Sequence, residues 1–509
     1  MEYRDMITRK KFFFIFNKLL LSVFTVWLGI VLIGAIRNDH FFIGNISAMA
    51  VGLILLLIFL IVVYLKIPSV KMVFRSVFVR YAYITAPILL LLVIFWQLLI
   101  LNQTHTRIGF DAGFIHNFLK NPHLSTSYLS TYPNNLFLLF FQKFLLSFFN
   151  MKLTWLNAAY LSLLCTDISV LLNLLTVRVI NKKKVSLAVY IHCVFLFLFP
   201  MIIVPYSDTL VLPFVSACLF AFSCMVYLKN EIVRISASIL LGGSIAGTYL
   251  MKPSSVIPII AIVIVYGLYV CTLDKNKFLS KQMLMKMLLP TFCVLFFAGI
   301  SVRSFNNYIE KQNFVHVQKG MALPPIHFIS MGMIGKGGYN QEDVMRTLAL
   351  KKPEARKKYS KKVMNERLKQ MGPLGFIKFL LFKNYNNTSD GSFGWNVEGG
   401  FITAPVERGS KGFLQSFLYP TGKRLGDFYW FAQLSWSMLL LIIIFGYDHR
   451  TKYVQMLRLG ILGGFLFLLI FEGGRSRYLI QFLPMYLILA VLVFDDAKGR
   501  IKKITTTLK

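Results

Sequence analysis

Acidic residues are scarce in this chain: 21 Asp and Glu stand against 55 Lys and Arg in 509 residues, and charged residues of both signs make up only 15%. Soluble domains carry about a quarter charged residues, so the 56% hydrophobic content that fills the gap excludes a soluble globular protein. Alternating apolar and polar stretches are also lacking. The apolar runs are continuous, which argues against a β-barrel and for helices. No soluble basic module is set apart, so the net charge of +34 reads as topogenic clusters between apolar runs and not as a nucleic-acid surface. Cysteine is sparse, and Cys165, Cys193, Cys218, Cys224, Cys271 and Cys293 all lie within or beside apolar runs. That leaves no disulfide framework and no cysteine-based metal site.

What recurs instead is a run of about twenty apolar residues, the length that crosses a bilayer as a helix. About twelve spans are expected, at 13–36, 43–65, 81–102, 155–178, 186–204, 207–228, 235–251, 254–272, 287–304, 431–446, 453–471 and 478–494. The expected fold class is an all-α polytopic membrane protein. Arg9-Lys10-Lys11 precedes the first run with no small-residue cleavage site, as in a retained first span. Short basic clusters at Arg4–Lys11, Lys66–Arg80, Arg178–Lys184, Lys275–Lys286, Arg450–Arg458 and Lys498–Lys503 predict a cytoplasmic location for each, with both termini inside. This parity requires that 133–150 does not cross. It opens at Tyr132-Pro133-Asn134-Asn135 and carries Gln142 and Lys143, as an amphipathic helix on the outer interface does.

Four regions follow: two N-terminal helices (1–80), a transmembrane core with outer loop 103–154 (81–304), a small extracytoplasmic domain of α/β or mixed type (305–430), and C-terminal helices with a basic tail (431–509).

Against this background Asp111 stands out, as the single acid between Leu101 and Phe149, in Gly109-Phe110-Asp111-Ala112-Gly113. A lone carboxylate just beyond a span is either a functional group or an ordinary helix-start residue. The outer turns hold the other candidates. Asp208, in Pro205-Tyr206-Ser207-Asp208, is a first-turn carboxylate or a second acid facing the cavity of Asp111. Lys252, before Pro253, is a snorkelling lysine or an anion ligand. In Glu472-Gly473-Gly474-Arg475-Ser476-Arg477-Tyr478 the arginines offer donor forks suited to phosphate, or Glu472 and Arg475 pair internally. One base opposite several cations suits displacement of a phosphate from a sugar carbon.

In order and sidedness these motifs resemble the GT-C superfamily of integral membrane glycosyltransferases. The layout is most like the bacterial relatives of protein mannosyltransferases and of the aminoarabinose transferases that modify lipid A. Asp111 matches the acid of the first outer loop, Tyr132-Pro133-Asn134-Asn135 the start of an interfacial helix, Asp208 a later outer acid, and Glu472 to Pro484 an acidic/Arg-Tyr turn before a span. Pro325 to Gly332, Gly337 to Asn340 and Asp390 to Trp395 resemble a Gram-positive branch of GT-C-like proteins. The paired acids of many members are missing, and Asp111 stands alone.

The resemblance implies a polyprenyl-phosphate-linked sugar donor, a glycan, lipid or protein acceptor on the outer face of the cell membrane, and contact with membrane lipids. Nucleic acid, cofactor and metal are not expected. Asp111 would be the base, and Lys252, Arg475 and Arg477 would hold the lipid phosphate. Asp208, Glu472, Tyr478, Tyr132 and His116 would support them, with His105 also near the base. Phe393-Gly394-Trp395-Asn396 would stack on sugar, or Trp395 would be a core residue. The competing class, a transporter or flippase, rests on Asp167, half way along a span with Asn173 after it.

Overall fold

The computed structural model describes residues 2–123, 126–273, 281–396 and 401–507. Lys275 and Lys277 of the expected basic clusters lie outside them. Among the described residues, eleven helices are long and apolar enough to cross a membrane. The expected twelfth, 186–204, is a helix of only 13 residues, Val185–Phe197, followed by a 3₁₀ turn at Pro200–Ile203. The helix alone reaches about 20 Å, and with the 3₁₀ turn the segment runs from the Lys184 end to the other end of the bundle, where Ser162 donates to the carbonyl of Val204 at 2.9 Å. Pro200 begins the 3₁₀ turn, and its missing N–H removes a helix hydrogen bond. In the segment 133–150 a 3₁₀ turn at Pro133–Asn135 leads into a helix of the same length, Leu136–Phe148.

The first helix, α1 (Glu2–Ile36), is a wall of the bundle. Trp27 stacks on Phe465 and donates to Asn384 Oδ1 at 3.0 Å, and Gln433 donates to the carbonyl of Ala35 at 2.7 Å. The second, α2 (Ala48–Lys66), buries only Ala50; its start is tied down where Ser47 donates twice to Asp427, at 2.7 Å each. The last span is the most enclosed of the eleven and forms the centre.

The two ends of the bundle differ in chemistry. At one end Lys184 bonds the carbonyl of Leu492 at 2.7 Å and pairs with Asp495 at 2.9 Å. Arg458 caps the carbonyls of Gly446, Tyr447 and His449, and Arg500 pairs with Asp448. Three of the basic clusters therefore meet there. The expected outer turns meet at the opposite end.

The segment 305–430 is corrected in its β component: among the described residues it forms helices and no strand, apart from an isolated bridge between Ile108 and Ile402. Its main element, α3 (Pro353–Thr388), buries Arg356 and Ser360, then Lys383, Asn384, Asn387 and Thr388, at helical and not alternating spacing. Gly372 breaks this helix at φ 61°, ψ 176°, because Pro373 withdraws an N–H and drives its predecessor out of the α region. The exposed stripe changes character at the break. It carries Lys357, Lys358, Lys361, Lys362 and Lys369 before it, and Leu374, Ile377, Lys378, Leu381 and Phe382 after it. The first half is polar on its exposed side and the second is mostly apolar, with Lys378 the exception.

Candidate active site

Asp111 is the second residue of the helix Phe110–Lys120. The turn before it is tight. Gly109 donates to the carbonyl of Phe401 at 3.0 Å, Phe110 takes φ 51°, and a side chain at Gly113 would meet the carbonyl of Ile108 at 2.7 Å. The two glycines flanking Asp111 thus belong to the turn that aims it. Both carboxylate oxygens are held: Oδ1 accepts from the Tyr128 hydroxyl at 2.5 Å and Oδ2 from the Tyr206 hydroxyl. Asn135 donates in turn to Tyr128 at 2.7 Å. Burial, reinforced by the charge of Asp111, pushes both phenols well above the usual tyrosine range, so both remain neutral donors.

Asp208 lies beyond Tyr206, buried in the first turn of the helix that starts at Ser207. Its oxygens meet two cations, Lys252 and the Arg477 Nε, the latter at 3.2 Å. The guanidinium of Arg477 lies 5.2 Å from the Tyr206 ring, and the Lys252 ammonium 4.8 Å from the Tyr478 ring. Ser254 and Ser255 both donate to Gln481, at 2.7 and 2.6 Å, which joins the Lys252 turn to the Arg477 turn. Asp208 is therefore a first-turn carboxylate that pairs with two cations, on the far side of Tyr206 from Asp111.

Glu472 accepts from the Tyr478 hydroxyl at 2.9 Å. Burial raises its pKa, opposed chiefly by Arg475, while Asp111 adds to the rise. Tyr132 and Tyr339 share a hydrogen bond within the field of Asp111 and Glu472, and burial raises both. Eight of the nine predicted site residues thus converge: Asp111, Tyr132, Asp208, Lys252, Glu472, Arg475, Arg477 and Tyr478. His116 does not join them. It stacks on Trp155 at 4.0 Å, and burial together with Lys120 lowers its pKa to about 4. His105 caps its helix through the carbonyls of Leu101 and Asn102. Trp395 is fully buried and donates to the carbonyl of Leu418 at 2.8 Å, so it is a core residue and cannot stack on a sugar.

Four participants carry no sequence signal strong enough to find them: Tyr128, Tyr206, Tyr339 and Lys383. Lys383 is fully buried and donates to the carbonyls of Gly332, Leu469 and Phe471 at 2.6, 3.0 and 2.6 Å. It closes the end of the helix Lys452–Ile470 and fastens the Glu472 turn to the loop 332–339. Gly337 (φ 88°) leaves room for it, since a side chain there would come within 2.5 Å of Lys383 Cδ. Gly473 donates to the carbonyl of Gly337 at 2.8 Å, and Gly474 (φ 71°) to Asn387 at 2.5 Å. A lysine inside Phe382-Lys383-Asn384 was the one available cue.

An apolar cavity of about 220 Å³ is lined by Tyr190, Phe195, Phe393, Trp436 and Leu487 among others, and by none of the eight converging residues. The loop that gives it Gly391 and Phe393 begins at Asp390, which accepts from Ser476 at 3.1 Å and pairs with His40 at 3.2 Å. Burial pushes the Asp390 carboxyl up, but His40 and Ser392 outweigh it and hold it low. Within the spans, Asp167 accepts from Gln97 at 3.2 Å, and Asn173 meets His192 at 3.3 Å. Among the described residues no three His, Cys, Asp or Glu side chains converge as a metal site.

No curated protein and no solved structure matches this chain. A family model described as a conserved hypothetical integral membrane protein matches residues 12–498, and over that length the chain belongs to this family of integral membrane proteins.

Proposed function

We propose that the protein is a membrane glycosyltransferase that moves a sugar from a polyprenyl-phosphate-linked donor to an extracytoplasmic acceptor by inverting displacement. The observation that carries this reading is the pairing of Asp111, oriented by two neutral phenols, with the cationic group on the far side of Tyr206. Each carboxylate oxygen has a further lone pair for an incoming hydroxyl. The acceptor oxygen attacks the anomeric carbon and its proton passes to Asp111. The bond from that carbon to the phosphate oxygen breaks, and polyprenyl phosphate leaves. Arg475 meets the leaving phosphate, together with Lys252 and Arg477, which share Asp208 and retain one net positive charge as a trio. Glu472 and Tyr478 fix the arginine turn, and Tyr132 lies on the acceptor side. The apolar cavity beside Phe393 suits the isoprenoid chain.

Membranes bearing the full chain are incubated with a radiolabelled polyprenyl-phosphate sugar. Transfer by the wild type and its loss in Asp111→Asn support the reading; undiminished transfer by the variant removes Asp111 as the base. A transporter is the second reading, because Asp167 sits within a span and, among the described residues, accepts from the amide of Gln97 and pairs with no cation. It predicts no transfer from any lipid-linked donor, and flux that Asp167→Asn abolishes.

A further inference from the structure

A second groove, of about 600 Å³, opens between the helices Glu231–Met251 and Lys281–Lys311, separated from Lys252 by the turn Pro253–Val256. Its shape follows from small residues. Lower down, Gly242 lets the helices touch: a side chain there would meet the carbonyl of Val294 at 2.6 Å. Higher up they diverge, and the space above Gly299 is open. The floor is apolar, made by Ala246, Ala298, Gly299 and Val302. The mouth is polar. Arg303, Asn306 and Asn307 follow one another on one helix face at i, i+3 and i+4, and all three are exposed. Arg303 lies about two turns from the end of its span, where a guanidinium reaches the headgroup level.

We infer that this groove binds one anionic glycerophospholipid, with an acyl chain on the small-residue floor and its phosphate on Arg303. The guanidinium supplies a paired donor fork to the phosphate oxygens. The two amides bond the headgroup oxygens beyond it, which distinguishes a phosphodiester with a hydroxylated headgroup from a bare polyprenyl phosphate. A zwitterionic lipid offers Arg303 the same phosphate but adds a cation beside it. This inference does not depend on the glycosyl-transfer reading.

The test is native mass spectrometry of the detergent-purified full chain, titrated separately with phosphatidylglycerol, phosphatidylcholine and a polyprenyl phosphate. The wild type is expected to retain phosphatidylglycerol about tenfold more tightly than phosphatidylcholine. Arg303→Ala loses that preference, and Lys311→Ala, on the same helix but outside the groove, keeps it. Ala298→Phe fills the floor while leaving the cation in place, and it is expected to lower retention of the lipid; it also serves if Arg303→Ala fails to fold. Equal retention of the two phospholipids by the wild type, an unchanged preference in Arg303→Ala, or unchanged retention in Ala298→Phe overturns the inference. Displacement of phosphatidylglycerol by an equal concentration of polyprenyl phosphate overturns it as well.

Discussion

Asp111 and Asp208 lie on either side of Tyr206 and are held in opposite ways. Asp111 is half-buried and accepts from two neutral phenols; Asp208 is buried and meets a lysine and an arginine. Hydroxyl donors orient a carboxylate without cancelling its charge, so it can still take a proton from a third group. Two cations tie up a carboxylate and turn it into a fastening. The pair shows that identical side chains on adjacent turns are given different work by the charge of their partners.

The largest effect should come from Asp111→Asn, which keeps the shape and one acceptor oxygen but removes the base. Transfer is expected to fall by about 10²–10⁴-fold, with the melting temperature in detergent little changed. The comparison would collapse if Asp208→Asn had the same profile. That variant should instead lose stability, by about 3–5 kcal/mol, because it strands two cations in a buried site. Thermal unfolding of the purified protein measures it.

Tyr206→Phe and Tyr128→Phe sharpen the contrast from the other side. Each removes one donor to Asp111, and each should cost about tenfold in transfer at nearly unchanged melting temperature. The smallest effect is a control. His327 and His116 are buried, with pKa values lowered from 6.5 to about 4, His116 chiefly by burial and His327 by burial with Arg367 opposed by Asp343. The unfolded chain binds more protons across that window, so stability should decline as pH falls from 6.5 towards 4. His327→Gln with His116→Phe should flatten that decline without altering the response of either aspartate variant.

Much of the candidate site was legible because charge is rare in this chain. Asp111, Lys252, Arg475 and Arg477 stand out as ionisable groups between apolar runs. The phenols that define the role of Asp111 were not legible. Tyrosine is common here, at 23 residues, and what singles out Tyr128 and Tyr206 is where the fold aims them. Lys383 escaped for a related reason: its partners are main-chain carbonyls from two other segments, which leave no side-chain signature. His116 misled through proximity, since five residues of helix turn it away from Asp111 and onto Trp155. Among the spans, 186–204 shows the limit of hydropathy, which registers an apolar run but not where its helix stops.

The helix broken at Gly372 ties this chemistry to its surroundings. Its outward face is mostly lysine on one side of the break and, apart from Lys378, leucine, isoleucine and phenylalanine on the other. About three turns further along, Lys383 grips the carbonyl that precedes Glu472. Any tilt of this half of the helix would therefore be passed through Lys383 to the Glu472–Arg477 turn.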